Sequence, residues 1–268
     1  MKTIIAPTDF SKVSLNAVNY AADMASAINA KLLLLHASES SIPGVQDFLG
    51  EATPNDINIE KRLFALERKL RTRTGDKIII NAMLVSGTIE NELIKICEDE
   101  NPLAVVMATH GDGTMERFFI GSITVYLSKH LQYPVLVIPK DVCFKPIHKV
   151  ILASDMKSIY DLPLEKITDI VTVFNASLDV VHVCGSNEKM NKNPVEVSFL
   201  NHRLRYLNPH FHFINNDNVS EGVSLFAEKN NADMVLIFPK KHGPFHKSDS
   251  KQFIFHSTVP VMTVQLAK

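Results

Sequence analysis

"TIIAPTDF" at 3–10 returns as "VILASDM" at 150–156, and this return decides how the chain of 268 residues is read. Outward from it, "AKLLLLHA" at 30–37 recurs as "ASLDVVHV" at 176–183. The register is constant, because Asp9 and Asp155, like His36 and His182, are 146 residues apart. Further on, "QYPVLVIP" at 132–139 recurs as "TVPVMTVQ" at 258–265, with Pro134 and Pro260 only 126 apart, so the second copy is about twenty residues shorter. Self-similarity on this scale marks a duplicated structural unit. The seam falls in "KDVCFKPIH" at 140–148, which contains Pro146 and has no apolar periodicity, and the expected domains are 1–140 and 148–268.

Within the first copy, "KTIIAP", "AKLLLLHA", "KIIINAMLV", "LAVVMA" and "YPVLVIP" are short apolar runs without strict alternation. Such runs are expected of parallel strands covered on both faces. Between them, Ser11 is placed to cap a helix on which Val18, Ala21, Ala25 and Ile28 form one stripe. Further helices are expected over 57–74, over 88–100 with Ile89, Leu93 and Ile96 on one face, and over 121–131. Strand and helix alternate throughout, which predicts an α/β fold of two tandem, doubly wound, five-stranded parallel sheets of the Rossmann-like kind. In such sheets ligands bind outside the carboxyl ends of the strands, where strand order reverses. A site is therefore expected in the loops after the first, second and fourth strands.

Composition narrows the ligand. Lys plus Arg is 28 and Asp plus Glu is 29, so a net charge near -1 supplies no bulk field for nucleic acid or an acidic membrane, and neither is an expected partner. The longest apolar runs fall far short of the roughly 20 residues that a bilayer requires. Three widely spaced cysteines, Cys97, Cys143 and Cys184, fit reduced thiols in a cytoplasm better than a disulfide framework. "MKTIIAPTDF" breaks its apolar run at Pro7 and Asp9 and so lacks the core of a signal peptide. A cytoplasmic location is the expectation.

Three features converge on the predicted edge: Pro7-Thr8-Asp9 after the first strand, His36-Ala37 closing the second, and "MATHGDGTMERFFIGSIT" at 107–124 after the fourth. Gly121 and Ser122 open the fourth helix, whose N-terminal N–H groups and positive dipole end suit a phosphate. Gly111 allows a close turn around the same anion. Asp9 is an acceptor for a ribose hydroxyl or an adenine amino group, and small Ala37 exposes backbone to a purine edge. An ordinary strand-to-helix loop is the bland alternative for the glycines alone.

Read with these motifs, the chain resembles a tandem universal stress protein, with two such domains covering nearly all of it. The family's ATP-binding members carry G-x2-G-x9-G-[ST]; here Ala108 stands for the first glycine, while Gly111, the nine-residue spacing and Gly121-Ser122 are intact. "PTDFS" and "YPVLVIP" also match. The resemblance implies strand order 3-2-1-4-5 in each domain and an internal pseudo-dimer formed by the last strands. It implies ATP with Mg, with Asp9 on the ribose and adenine side, Ala37 at the adenine, and Ala108, Gly111, Gly121, Ser122, Ile123 and Thr124 at the triphosphate. Pro7 and Thr8 flank the first group and Met107 and His110 the second, and all four are counted with the site, although Met107 suits packing equally well. A regulatory protein partner and association of two chains are the further partner expectations.

The second copy keeps the carboxylate as Asp155 but departs at the loop. From Gly243 to Pro260 is 17 residues, against 23 from Gly111 to Pro134, and the Gly121-Ser122 position falls on Lys247-Ser248. This copy is expected to bind no nucleotide, with Lys240, Lys241, His242, His246 and Lys247 as a solvated loop. His36 and His182 close the second strand of both copies, which favours structure over catalysis. His210 and His212 share one face of a strand at metal-compatible spacing without an evident third ligand. No GxxxxGK[ST] is present, and nothing shows Asp112, Glu116 and Arg117 converging, so at most slow ATP hydrolysis is expected. The alternative function is an interaction scaffold of the same family without nucleotide.

Overall fold

The apolar runs do form parallel strands. The computed structural model describes residues 1–38, 54–109, 122–156, 159–185, 194–239, 253–254 and 257–265. From the first half come β1 (Thr3–Pro7), β2 (Lys31–Ser38), β3 (Ile80–Ser86), β4 (Ala104–Ala108) and β5 (Val135–Ile138). From the second come β6 (Lys149–Ala153), β7 (Ser177–Cys184), β8 (His210–Asn215), β9 (Met234–Ile237) and β10 (Val261–Thr263). They make one ten-stranded sheet in the order β3-β2-β1-β4-β5-β10-β9-β6-β7-β8. Each half runs 3-2-1-4-5, and the two meet where β5 and β10 pair antiparallel through Val137↔Val261, Leu136↔Met262 and Val135↔Thr263. Every other pairing in the sheet is parallel.

Seven α-helices cover this sheet among the described residues: α1 (Lys12–Ala27), α2 (Pro54–Thr74), α3 (Ile89–Glu100), α4 (Ser122–His130), α5 (Leu164–Val173), α6 (Pro194–Arg203) and α7 (Val219–Lys229). Successive strand side chains point to opposite faces, so Ile4, Leu32, Leu34, Val106, Leu136, Leu152 and Met262 share one core with α1, α2, α5 and α6. Ile5, Leu33, Leu35, Val105, Val137, Ile151 and Val261 share the other with α3, α4 and α7. Both cores cross the seam without interruption. The exceptions to burial on both faces are β3, where Met83 is exposed, and β8, where His210 is exposed. Their places at the two ends of the strand order leave each with one side that has no neighbour.

The two halves correspond down to single turns. Ser11 caps α1, its hydroxyl accepting from the Ser14 N–H at 3.1 Å. Asn29 follows α1 with φ 51°, and Asn175, 146 residues later, follows α5 with φ 51°. Asparagine takes this left-handed conformation at lower cost than most residues, which ends the helix. Across the seam, the Gln265 amide donates to the Ser128 carbonyl at 2.7 Å and Lys166 donates to the Gln132 carbonyl at 2.6 Å. Lys2 pairs with Asp169 at 3.2 Å. The connecting segment is packed as well, with Phe144 edge-on to Tyr20 at 5.2 Å. No helix of the described residues is long and apolar enough to cross a membrane.

The three thiols differ in access. Cys97 and Cys184 are buried and Cys143 is exposed. Burial, helped by the charge of Glu98, pushes the Cys97 thiol up to about 12, so almost none is thiolate near neutrality. An aromatic disulfide reagent at pH 8 should label one thiol per folded chain rapidly and all three in denaturant. Two rapid thiols in the folded chain would contradict this packing.

Candidate functional site

The parallel direction of β1, β2 and β4 brings their carboxyl ends to one edge. Strand β1 has β2 on one side and β4 on the other, so the chain's course reverses there and a crevice opens. Pro7 ends β1 and is buried. Thr8 is buried, its hydroxyl accepting from the Phe10 N–H at 3.0 Å and lying 3.1 Å from the Ser14 hydroxyl. These bonds fix a tight corner in which Phe10 has φ 62°, an unusual conformation for a bulky residue that the local bonds hold in place.

Asp9 stands exposed at that corner and accepts from the Ser11 N–H at Oδ1, at 2.9 Å. Desolvation pulls its pKa up. The Ser11 and Ser14 hydroxyls and the N–H groups of Ser11 and Asp9 outweigh it and hold the carboxyl below the usual carboxylate range. The group is thus ionised and already oriented. Ala37 lies half-buried near the end of β2, opposite Val85 of β3.

On the other side of β1, Ala108 is half-buried as the last residue of β4 and packs against one core, while the preceding Met107 is buried in the other. Ala108 is absent from the positions with left-handed backbone, so alanine in place of the motif's glycine carries no backbone strain here. Helix α4 begins at Ser122. Its buried Thr124 donates its hydroxyl to the Ala108 carbonyl at 3.0 Å, which ties the first turn of the helix to the end of β4. Ile123 is half-buried against the core below. Asp9, Ala37, Ala108, Ile123 and Thr124 are thus gathered at one edge. His110, Gly111 and Gly121 lie outside the described residues, as do Asp112, Met115, Glu116 and Arg117.

The expected structural histidines are structural. His36 Nδ1 lies 2.6 Å from the Thr8 carbonyl, and His182 Nδ1 lies 2.9 Å from the Ser154 carbonyl, each spanning 28 residues. His210 and His212 share a face of β8, and the group that meets them is Asp179, the counterpart of Leu33 in the first half. His212 Nε2 is 3.0 Å and His210 Nδ1 3.7 Å from its carboxylate, with Lys149 at 4.0 Å. This is a buried carboxylate with His212 within hydrogen-bonding distance and Lys149 and His210 close by. Among the described residues no cluster of three or more His, Cys, Asp or Glu is disposed to hold a metal ion. The basic loop of the second copy, 240–248, lies outside the described residues.

One feature of the edge escaped sequence reading. Arg62 of α2 places its guanidinium carbon 4.3 Å from the centre of the Phe10 ring, whose centre is 4.8 Å from that of His36. Arg62 is one basic residue among several on its helix, and nothing in the spacing singles it out.

The chain is similar to known proteins. A model of the universal stress protein family matches residues 1–139. Universal stress protein MJ0531 of Methanocaldococcus jannaschii is 27% identical over 147 residues, covering 52% of this chain and 82% of that protein. Universal stress protein MJ0577 of the same organism is 26% identical over 155 residues, covering 52% of this chain and 95% of its own. In three dimensions, a universal stress protein from Archaeoglobus fulgidus superposes with a TM-score of 0.75 over 98% of both chains at 17% identity, which establishes that the fold is shared along the full length. The family match takes in β1 through β5, and with them the whole crevice edge: the chain belongs to the universal stress protein family.

Proposed function

We propose that this protein is a stress-response regulator that binds ATP in its first half only and does little or no catalysis on it. The observation that carries this reading is the Thr124 to Ala108 hydrogen bond of 3.0 Å, which sets the N-terminus of α4 against the end of β4, beside the corner that presents Asp9. Asp9 would accept from the ribose and Ala37 would meet the base. Ser122, Ile123 and Thr124, with Gly111 and Gly121 from the adjoining loop, would take the triphosphate. Magnesium would arrive with the phosphates and supply charge neutralisation, consistent with the lack of a preformed cluster among the described residues. In this reading domains 1–140 and 148–268 meet at the β5–β10 seam, and the second is a partner domain without nucleotide in a cytoplasmic protein. Bound ATP would then act as a signal to a protein partner.

The scaffold reading draws its support from Ala108, where the motif has glycine. Its weight falls because Ala108 needs no positive φ. The deciding experiment denatures the purified protein, assays the supernatant for adenine nucleotide, and titrates the emptied, refolded protein with ATP and magnesium beside a Gly121→Asp control. One ATP per chain, lost in the control, is expected. No copurified nucleotide and no heat on titration would leave the scaffold as the function.

A further inference from the structure

We propose that Arg62 is a positioning residue for the nucleoside end of the ligand, an inference that rests on the nucleotide-binding reading above. The guanidinium lies over the Phe10 ring at 4.3 Å, and Phe10 directly follows Asp9. The same ring leans on His36 at 4.8 Å, next to Ala37. Arg62 is therefore held at the β1–β2 side of the edge, where the two nucleoside contacts stand. The phosphate side lies beyond β1, at β4 and α4. Strands about 4.8 Å apart place β2 and β4 roughly 10 Å from each other, a distance that an extended nucleotide spans.

Among the described residues Arg62 has no carboxylate partner, whereas on the same helix Arg71 pairs with Glu67 at 2.8 Å and Arg73 with Asp23 at 2.7 Å. An exposed arginine gains little from an aromatic face alone, but that face fixes a planar group and leaves its edge donors outward. A guanidinium donates and never accepts, so it selects the acceptors of a nucleoside, namely ribose oxygens and ring nitrogens.

The second half supplies an internal comparison. Its corner is built alike: the Ser154 hydroxyl accepts from the Met156 N–H at 3.2 Å, Met156 has φ 56°, and His182 meets the Ser154 carbonyl. The aromatic ring of position 10 has become Met156, which offers no π face. The half that lacks the Gly-Ser pair thus also lacks the platform for the cation.

Titration calorimetry of the wild type, Arg62→Ala and Arg62→Lys with ATP and with adenosine tests this. Arg62→Ala should weaken both ligands by the same factor, about 5- to 30-fold, with an unchanged melting temperature. Arg62→Lys should recover little, because an ammonium is not a planar fork. Equal binding by Arg62→Ala and wild type, or a loss confined to ATP, would overturn the inference while leaving the nucleotide site in place. Wild-type protein that binds neither ligand would overturn the functional reading and this inference together.

Discussion

Met262→Asp should leave the chain largely unfolded at 25 °C. Met262 is fully buried in β10, between Leu136 of β5 and Leu236 of β9. The substitution removes a large apolar side chain, costing about 2–5 kcal/mol, and leaves an uncompensated carboxylate in the core, costing several kcal/mol more. A domain's stability is about 5–15 kcal/mol, so the sum consumes most or all of it. Met262→Leu keeps the volume and should cost less than about 1.5 kcal/mol. Because both cores run across the seam, the first half should lose its structure in the same step. Urea melts followed by far-UV circular dichroism would decide the matter. A wild-type midpoint for Met262→Asp would contradict the predicted cost at this buried position, and retention of half the helix signal would show that the halves fold independently.

Asp9→Asn should weaken ATP binding by roughly 5- to 13-fold, the ~1–1.5 kcal/mol lost when a hydrogen bond to a charged acceptor (about 1.5–3 kcal/mol) becomes a neutral one (about 0.5–1.5 kcal/mol). Folding should hardly change, since Asp9 is exposed and its Ser11 bond can be kept by the amide oxygen. The pH dependence follows from the depressed pKa. A carboxyl whose folded pKa lies below its unfolded value of about 3.9 contributes fully above that value and loses its contribution as pH falls through the folded pKa. Wild-type affinity should therefore be insensitive to Asp9 between pH 5 and pH 8. A sigmoidal loss centred near neutrality would contradict the assigned role, as would wild-type affinity in Asp9→Asn.

The fold was legible because burial on two faces writes itself as unbroken apolar runs, and "AKLLLLHA" became β2 with Leu32 to Leu35 all buried. The constant spacing from Asp9 to Asp155 carried the same reading into the second half, where β7 alone would have been obscured by Asp179. That residue's three basic neighbours come from two other strands, β6 and β8, so only the strand order explains its tolerance. At the edge, the placement of Asp9, Ala37 and Ala108 was legible because each adjoins the carboxyl end of a predicted strand, whereas Thr124 lies in a predicted helix and was pointed to only by the resemblance to the family motif. Arg62 was not, because its contact with Phe10 joins residues 52 apart through the packing of α2 on α1, which no local pattern encodes.

The antiparallel β5–β10 pairing has an evolutionary consequence. When two copies of a unit are separate molecules, each must keep an affinity high enough to find the other at cellular dilution. Here the covalent connection through 140–148 holds the second unit beside the first at millimolar effective concentration, whatever the cell contains. Under the proposed reading, in which the second half binds no nucleotide, what is asked of that half is that it complete the sheet and the two shared cores, and drift at its own strand ends leaves those intact. A duplicated gene under that regime can specialise one half while the other remains as its permanent, stoichiometric support.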